Sequence, residues 1–187
     1  MELFHAIRHH LGEKQLIAED LGHMTEGVRR LVRDSGVPNM KVLQFAFDVD
    51  DAAAANDHLP HNYHKNCVVY TGTHDNETLM GWLQEMEPAQ KRLVRDYLCD
   101  TDSADETLRH RMVALAMGSC ANVCIVALQD YLGLDNSCRM NQPATVKKNW
   151  RWRMKRDAVK EEHRREMRTL TTRYGRLNWD NEPKGVE

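Results

Sequence analysis

Four apolar runs separated by helix-patterned stretches restrict the fold of this chain more than any other feature. Residues 16–20, 41–47, 67–73 and 122–129 read as strands, and the last three are dense in Val, Ile, Leu or Phe, as buried parallel strands are. Before the first run, residues 2–10 carry Leu3, Ile7 and Leu11 at helical spacing and stop at Gly12. Between the first two, Thr25 offers a cap and Glu26 an acidic first turn. Val28, Leu31 and Val32 supply an apolar stripe that should be buried, and Gly36 ends the helix. Further helical stretches fall near 77–85, 88–98 and 105–119. Strands alternating with helices imply an α/β fold of about four parallel strands joined by right-handed crossovers. The alternation alone fits an open doubly wound sheet or a barrel.

Side chains alternate along a strand, so Ile17 and Glu19 share one face, and Val69, Thr71, Thr73 and Asp75 share one face of the later run. Each strand thus delivers a carboxylate at its C-terminal end, while Asp20 points the opposite way. Acids at that end suit the barrel face on which strand-to-helix loops build active sites.

A chain of 187 residues holds one domain with a real core. Its 28 acidic and 26 basic side chains leave a net charge of −2, so no overall field recruits nucleic acid or an anionic membrane. No run approaches the roughly 18 apolar residues that span a bilayer, and residues 1–6 lack the pattern of a secretory signal, which gives a cytoplasmic address as the default. The five cysteines, at 67, 99, 120, 124 and 138, are odd in number and form no Cys-x-x-Cys pair. That argues against a disulfide framework or a zinc ribbon and for reduced, mostly packed thiols, with Cys120 and Cys124 able to share a helix face. His58, His61 and His64 recur every third residue and invite a metal reading, but Pro60 and Asn62 place them in a loop where that period has no geometric meaning. Lys147, Lys148, Arg151, Arg153, Lys155 and Arg156 around Trp150 and Trp152 imitate a single-strand nucleic-acid surface.

Five blocks carry a family resemblance: IAEDLG at 17–22, VPNMKVLQFAF at 37–47, HLPHNY at 58–63, VVYTGTHDN at 68–76 and NWRWR at 149–153. In order and spacing they resemble glycoside hydrolase family 77, the 4-alpha-glucanotransferases or amylomaltases, from near Leu3 to about Trp152. The resemblance implies the second half of a (β/α)8 TIM barrel, with residues 1–154 as the C-terminal half of the catalytic barrel. Residues 155–187 form a charged helix and tail of the same domain, with Val159, His163, Met167 and Leu170 as an apolar stripe over about four turns ended by Tyr174-Gly175. The tail through Glu187 is expected to be loose.

Carried over residue by residue, the resemblance makes Glu19 the general acid/base, whose pKa must be raised by burial or a neighbouring negative charge. It makes Asp75 the carboxylate that grips sugar hydroxyls and stabilises the transition state, His74 a contact to the same sugar, Asn76 a substrate-binding or turn-holding neighbour, and Asn141 a contact to acceptor sugars. The implied reaction is retaining transfer of an alpha-1,4-glucan segment to the 4-hydroxyl of another glucan or glucose, with no cofactor and no metal. Alpha-1,4-glucans are the expected partners, with neither nucleic acid nor membrane. The basic, Trp-containing segment becomes a structural closing piece.

Retaining chemistry also needs a nucleophilic carboxylate about 5 to 5.5 Å from the acid/base. In the family that aspartate precedes the strand of the acid/base, and Asp34, Asp48, Asp50 and Asp51 match nothing like its motif, so no nucleophile is assigned. The expectation is a catalytically incomplete half barrel that binds glucan or the missing N-terminal half, with edge residues such as Val42 and Phe45 uncovered.

Overall fold

Apolar β-branched segments form a parallel sheet, but shorter strands than the runs suggest. The computed structural model describes residues 1–22, 24–49, 53–146 and 148–178. Among them, β1 (Asn39–Val42), β2 (Cys67–Tyr70) and β3 (Val123–Ile125) pair in parallel in the order β1-β2-β3. Asn39 lies opposite Cys67 and Val68 opposite Val123. Consecutive strands as neighbours, with no reversal of order, are what a barrel wall requires and what a doubly wound sheet breaks at its switch point.

The expected first strand at 16–20 contracts to a single bridge between Ala18 and Asn39. The cause is Asp20, whose Oδ1 accepts from the Met40 backbone N–H at 3.1 Å and whose Oδ2 accepts from Asn39 Nδ2 at 2.7 Å. A side chain thereby takes a donor that a longer ladder would use. The second strand stops at Val42 rather than Phe47, because Leu43–Phe47 coil into a 3-10 helix. Leu43, Ala46 and Phe47 all enter the core, a helical spacing that an alternating reading misses.

Helices α3 (Leu79–Glu85), α4 (Pro88–Tyr97) and α5 (Asp105–Gly118) follow the expected stretches closely, whereas the short α6 (Leu128–Tyr131) begins inside the run 122–129 expected as a strand, which pairs only over Val123–Ile125. Thr78 caps α3 by accepting from Gly81 N–H, α4 starts on a proline, and Asp105 and Glu106 face the positive end of α5. Their apolar faces meet Cys67 and Val69 of β2 in one core that holds Leu79, Leu83, Val94, Leu108, Met112 and Ala116. Burying one such side chain contributes about 2 kcal/mol. Helix α7 (Glu161–Arg173) adds Leu170 to this core and stops at Tyr174; residues 179–187 of the expected loose tail lie outside the described residues.

The first two helices differ. α1 (Glu2–Leu11) and α2 (Glu26–Ser35) form where expected, with Thr25 capping α2 and Gly36 left-handed at φ 68°, a conformation open to glycine at little cost. Their apolar faces are uncovered, however: Leu3 is 69% exposed, Leu11 60%, Val28 40% and Leu31 42%. Of the expected buried stripe of α2 only Val32 is partly covered, and Arg8 donating to the Ser35 carbonyl is one of the few ties between the two helices. Of the expected edge residues, Phe45 is exposed but Val42 is fully buried. The five thiols are free; Cys67 is buried and Cys99 and Cys120 are exposed. Cys120 follows α5 and Cys124 lies in β3, so they share no helix face. No described helix is long and apolar enough to cross a membrane.

Candidate active site

A cleft of about 430 Å³ opens at the C-terminal ends of the strands, and both Glu19 and Asp75 line it. Ile17, Glu19 and Leu21 face it, and Asp20 turns away to its bonds with Asn39 and Met40, as alternation requires. Glu19 is exposed. Tyr70, the last residue of β2, shares the cleft; burial, and after it the Glu19 charge, push its phenol above the usual range.

Strand parity does not place Asp75. β2 ends at Tyr70, Val69 and Thr71 are buried, and the chain then turns. Asn76 makes that turn: its Oδ1 accepts from the Thr73 backbone N–H at 2.9 Å and from the Thr73 hydroxyl at 2.8 Å. Asn76 thus lines the cleft while its amide oxygen holds the loop. The neighbouring Gly72 is closely packed: a Cβ there would lie 2.9 Å from Gln44 Nε2 and make the Gln44 side chain shift.

The segment after β3 comes back over this turn and completes the wall. Asn141 Nδ2 donates to Asp75 Oδ1 at 2.5 Å, and Asn141 N–H donates to the His74 carbonyl at 3.0 Å. His74 Nε2 lies 3.2 Å from Asp75 Oδ1. Arg139 donates to the Asp75 carbonyl at 2.6 Å and to the Asn141 carbonyl at 2.9 Å. His74 and Asp75, expected to contact one sugar, do meet, and Asn141, expected to contact acceptor sugars, joins them. Arg139 and Tyr70 were not foreseen: Arg139 works through backbone atoms, and Tyr70 sits on the strand face that the parity reading of Asp75 assigned away from the cleft.

Asp130 was also missed, although it lines the cleft floor. Its Oδ2 accepts from the Thr71 hydroxyl at 2.5 Å and its Oδ1 from the Leu79 N–H at 2.8 Å. Burial pushes its carboxyl up, against those two bonds and the Arg109 charge. The Arg109 guanidinium donates to the Asp130 carbonyl and is held by Glu106 and by Glu166 of α7. No charge pattern in the sequence links Thr71, Asp130, Arg109 and Glu166, which come from four different segments.

The remaining candidates are dispersed. His58 Nδ1 accepts from Val42 N–H, and His61 stacks on Tyr97 with its Nδ1 3.0 Å from the phenol oxygen. Among the described residues no group of three or more His, Cys, Asp or Glu could hold a metal. Asp34 is exposed on α2 and Asp48 faces a separate hollow of about 870 Å³ beside α2, away from Glu19 and Asp75; Asp50 and Asp51, like Lys147, lie outside the described residues. Arg153 donates to the Trp150 and Trp152 carbonyls, and Asn149 clamps Gln142 and Thr145, so this block closes a loop.

A family model described as 4-alpha-glucanotransferase matches residues 1–159. The chain is 40% identical over 177 residues to the 4-alpha-glucanotransferase of Clostridium butyricum, covering 94% of this chain and 35% of that protein. Against the chloroplastic/amyloplastic 4-alpha-glucanotransferase of Solanum tuberosum it is 41% identical over 178 residues, 94% of this chain and 30% of that protein. The solved structure of the amylomaltase from Streptococcus agalactiae in complex with acarbose superposes with a TM-score of 0.86 at 33% identity, over 95% of this chain and 35% of that one. The amylomaltase from Corynebacterium glutamicum, at 16% identity and a TM-score of 0.52, resembles it in fold alone. The chain spans about a third of the length of these relatives.

Proposed function

The chain belongs to the glycoside hydrolase 77 family of 4-alpha-glucanotransferases, its sheet and helices being part of a (β/α)8 barrel, and from that membership we propose that it carries the proton-transfer and sugar-gripping part of a retaining alpha-1,4-glucan transferase. Glu19 protonates the leaving glycosidic oxygen and later takes the proton from the acceptor's 4-hydroxyl. Asp75 grips hydroxyls of the sugar whose C1 reacts, and its charge stabilises the positive charge that develops there. His74 and Asn141 hold Asp75 and present further donors to the same ring. The observation that carries this reading is the meeting of Glu19 and Asp75 at one cleft, with Asn141 bonded to Asp75.

The attacking carboxylate is assigned to no residue here. Besides Glu19 and Asp75, the acids lining the cleft are Glu77 and Asp130. Both oxygens of Asp130 accept hydrogen bonds, and Glu77 accepts from Asn136. These bonds favour a chain that binds glucan but does not turn it over by itself.

Maltotriose disproportionation, followed by release of glucose and longer maltodextrins, tests this. The chain alone should stay at background, and complementing it with the rest of a family member's barrel should restore transfer. In the reconstituted protein Glu19→Gln should lower the rate on the order of 100 to 10,000-fold. Turnover by the chain alone would remove the incompleteness, and full activity of Glu19→Gln would remove the role of Glu19.

A further inference from the structure

Trp150, whose ring adjoins the cleft-lining His74, is a feature that neither the fold nor the roles above account for. Its indole is 54% exposed, whereas Trp82 is buried in the core. Such exposure leaves a large apolar ring in water, where surfaces of this kind mark binding sites. The backbone at Trp150 is left-handed, with φ 60°, a region a bulky residue rarely enters unless its surroundings impose it. Here they do: Trp150 N–H donates to the Met140 carbonyl at 2.7 Å, and the preceding Asn149 side chain bonds to Gln142 N–H, the Gln142 carbonyl and the Thr145 carbonyl and hydroxyl. The loop therefore spends its bonds on holding an exposed indole in one place.

That place adjoins the site. The indole centroid is 5.0 Å from the His74 ring with the planes at 39°, so the two rings form an open corner beside Asp75. A glucosyl ring has a face of C–H bonds and a rim of hydroxyls. An aromatic plane next to a carboxylate and an amide offers partners for both. We infer that Trp150 is a sugar-contact residue that stacks on a glucosyl ring of the alpha-1,4-glucan whose hydroxyls Asp75 and Asn141 engage. This rests on the glucan reading of the cleft. The stacking is preorganised by the Asn149 anchor, so binding need not order the loop.

Calorimetric titration of maltohexaose into the full 187-residue chain tests it, with folding of each variant checked by circular dichroism. Trp150→Leu keeps an apolar side chain without the aromatic plane and should weaken binding about tenfold, while Trp150→Phe should stay within about threefold of wild type. If the indole only steadies His74, Trp150→Leu will add nothing in a His74→Ala background; a sugar contact predicts a further loss there. Wild-type affinity in Trp150→Leu, with binding lost in Asp75→Asn, would overturn the inference and leave the glucan reading standing. No binding by the wild-type chain would bring down that reading, and the inference with it.

Discussion

The two carboxylates of the cleft are held in unlike ways. Asp75 stands on a turn stapled by Asn76, roofed by Arg139 and Asn141, and seated on a core built by α3, α5 and α7. Glu19 stands on a segment joined to the sheet by one bridge and the two Asp20 bonds, and flanked by two helices whose apolar faces are largely open. Both regions have amphipathic helices, yet only one has them covered. Since most helical stability in proteins comes from packing an apolar face, the Asp75 wall should be rigid and the Glu19 wall easily opened.

Core truncation should expose this contrast most strongly. Met112→Ala, beneath the Asp75 wall, is expected to cost about 2–5 kcal/mol in urea denaturation, whereas Leu31→Ala on α2 should stay within about 0.5 kcal/mol. Equal losses would break the comparison. Amide exchange sharpens it: α1 and α2 should exchange through local opening, and α5 only near global unfolding.

A smaller effect follows from Asp130. Its carboxyl is raised by burial above the ordinary 3.8. It therefore contributes stability below that value and loses it as pH rises through the higher folded-state value. Asp130→Asn cannot ionise, and its amide can donate to Thr71 while its oxygen accepts from Leu79. The decline in urea midpoint above about pH 4 should flatten in that variant. Asp100, held below the usual range by the Ser103 bond and by Arg111 and Arg95, acts in the opposite sense and loses its contribution as pH falls through its depressed value.

The smallest change is expected on the Glu19 side. Asp57 is lowered by its bond to Arg29 of α2, but both side chains are half exposed. Asp57→Asn should cost no more than about 0.5 kcal/mol and less in high salt. A larger loss would show that α2 is anchored more firmly than its open face implies.

Apart from α6, the helices were legible almost to the residue, because caps, proline and glycine signals and apolar spacing are local. The parallel order followed from the alternation of strands with helices. Misreadings arose where a side chain from elsewhere decides the backbone. Asp20 takes a donor from β1 and curtails the strand before it, and a 3-10 turn replaces the end of the second run. Asn76, not parity, aims Asp75, which also hid Tyr70. Cover for Val28 and Leu31 depends on what packs there, which helical periodicity does not encode.

Thr71, Asp130, Arg109 and Glu166 can be regarded as a tie rod. It runs from the end of β2 through the cleft floor and α5 to α7. A rod carries load only while both ends are fixed. Cutting the chain before α7 would release the Glu166 end and leave Arg109 to Glu106 alone, so slack at the far helix would be felt at the floor under Asp75. Handling the segment from α7 onward as a dispensable appendage would loosen the cleft without touching a residue in it.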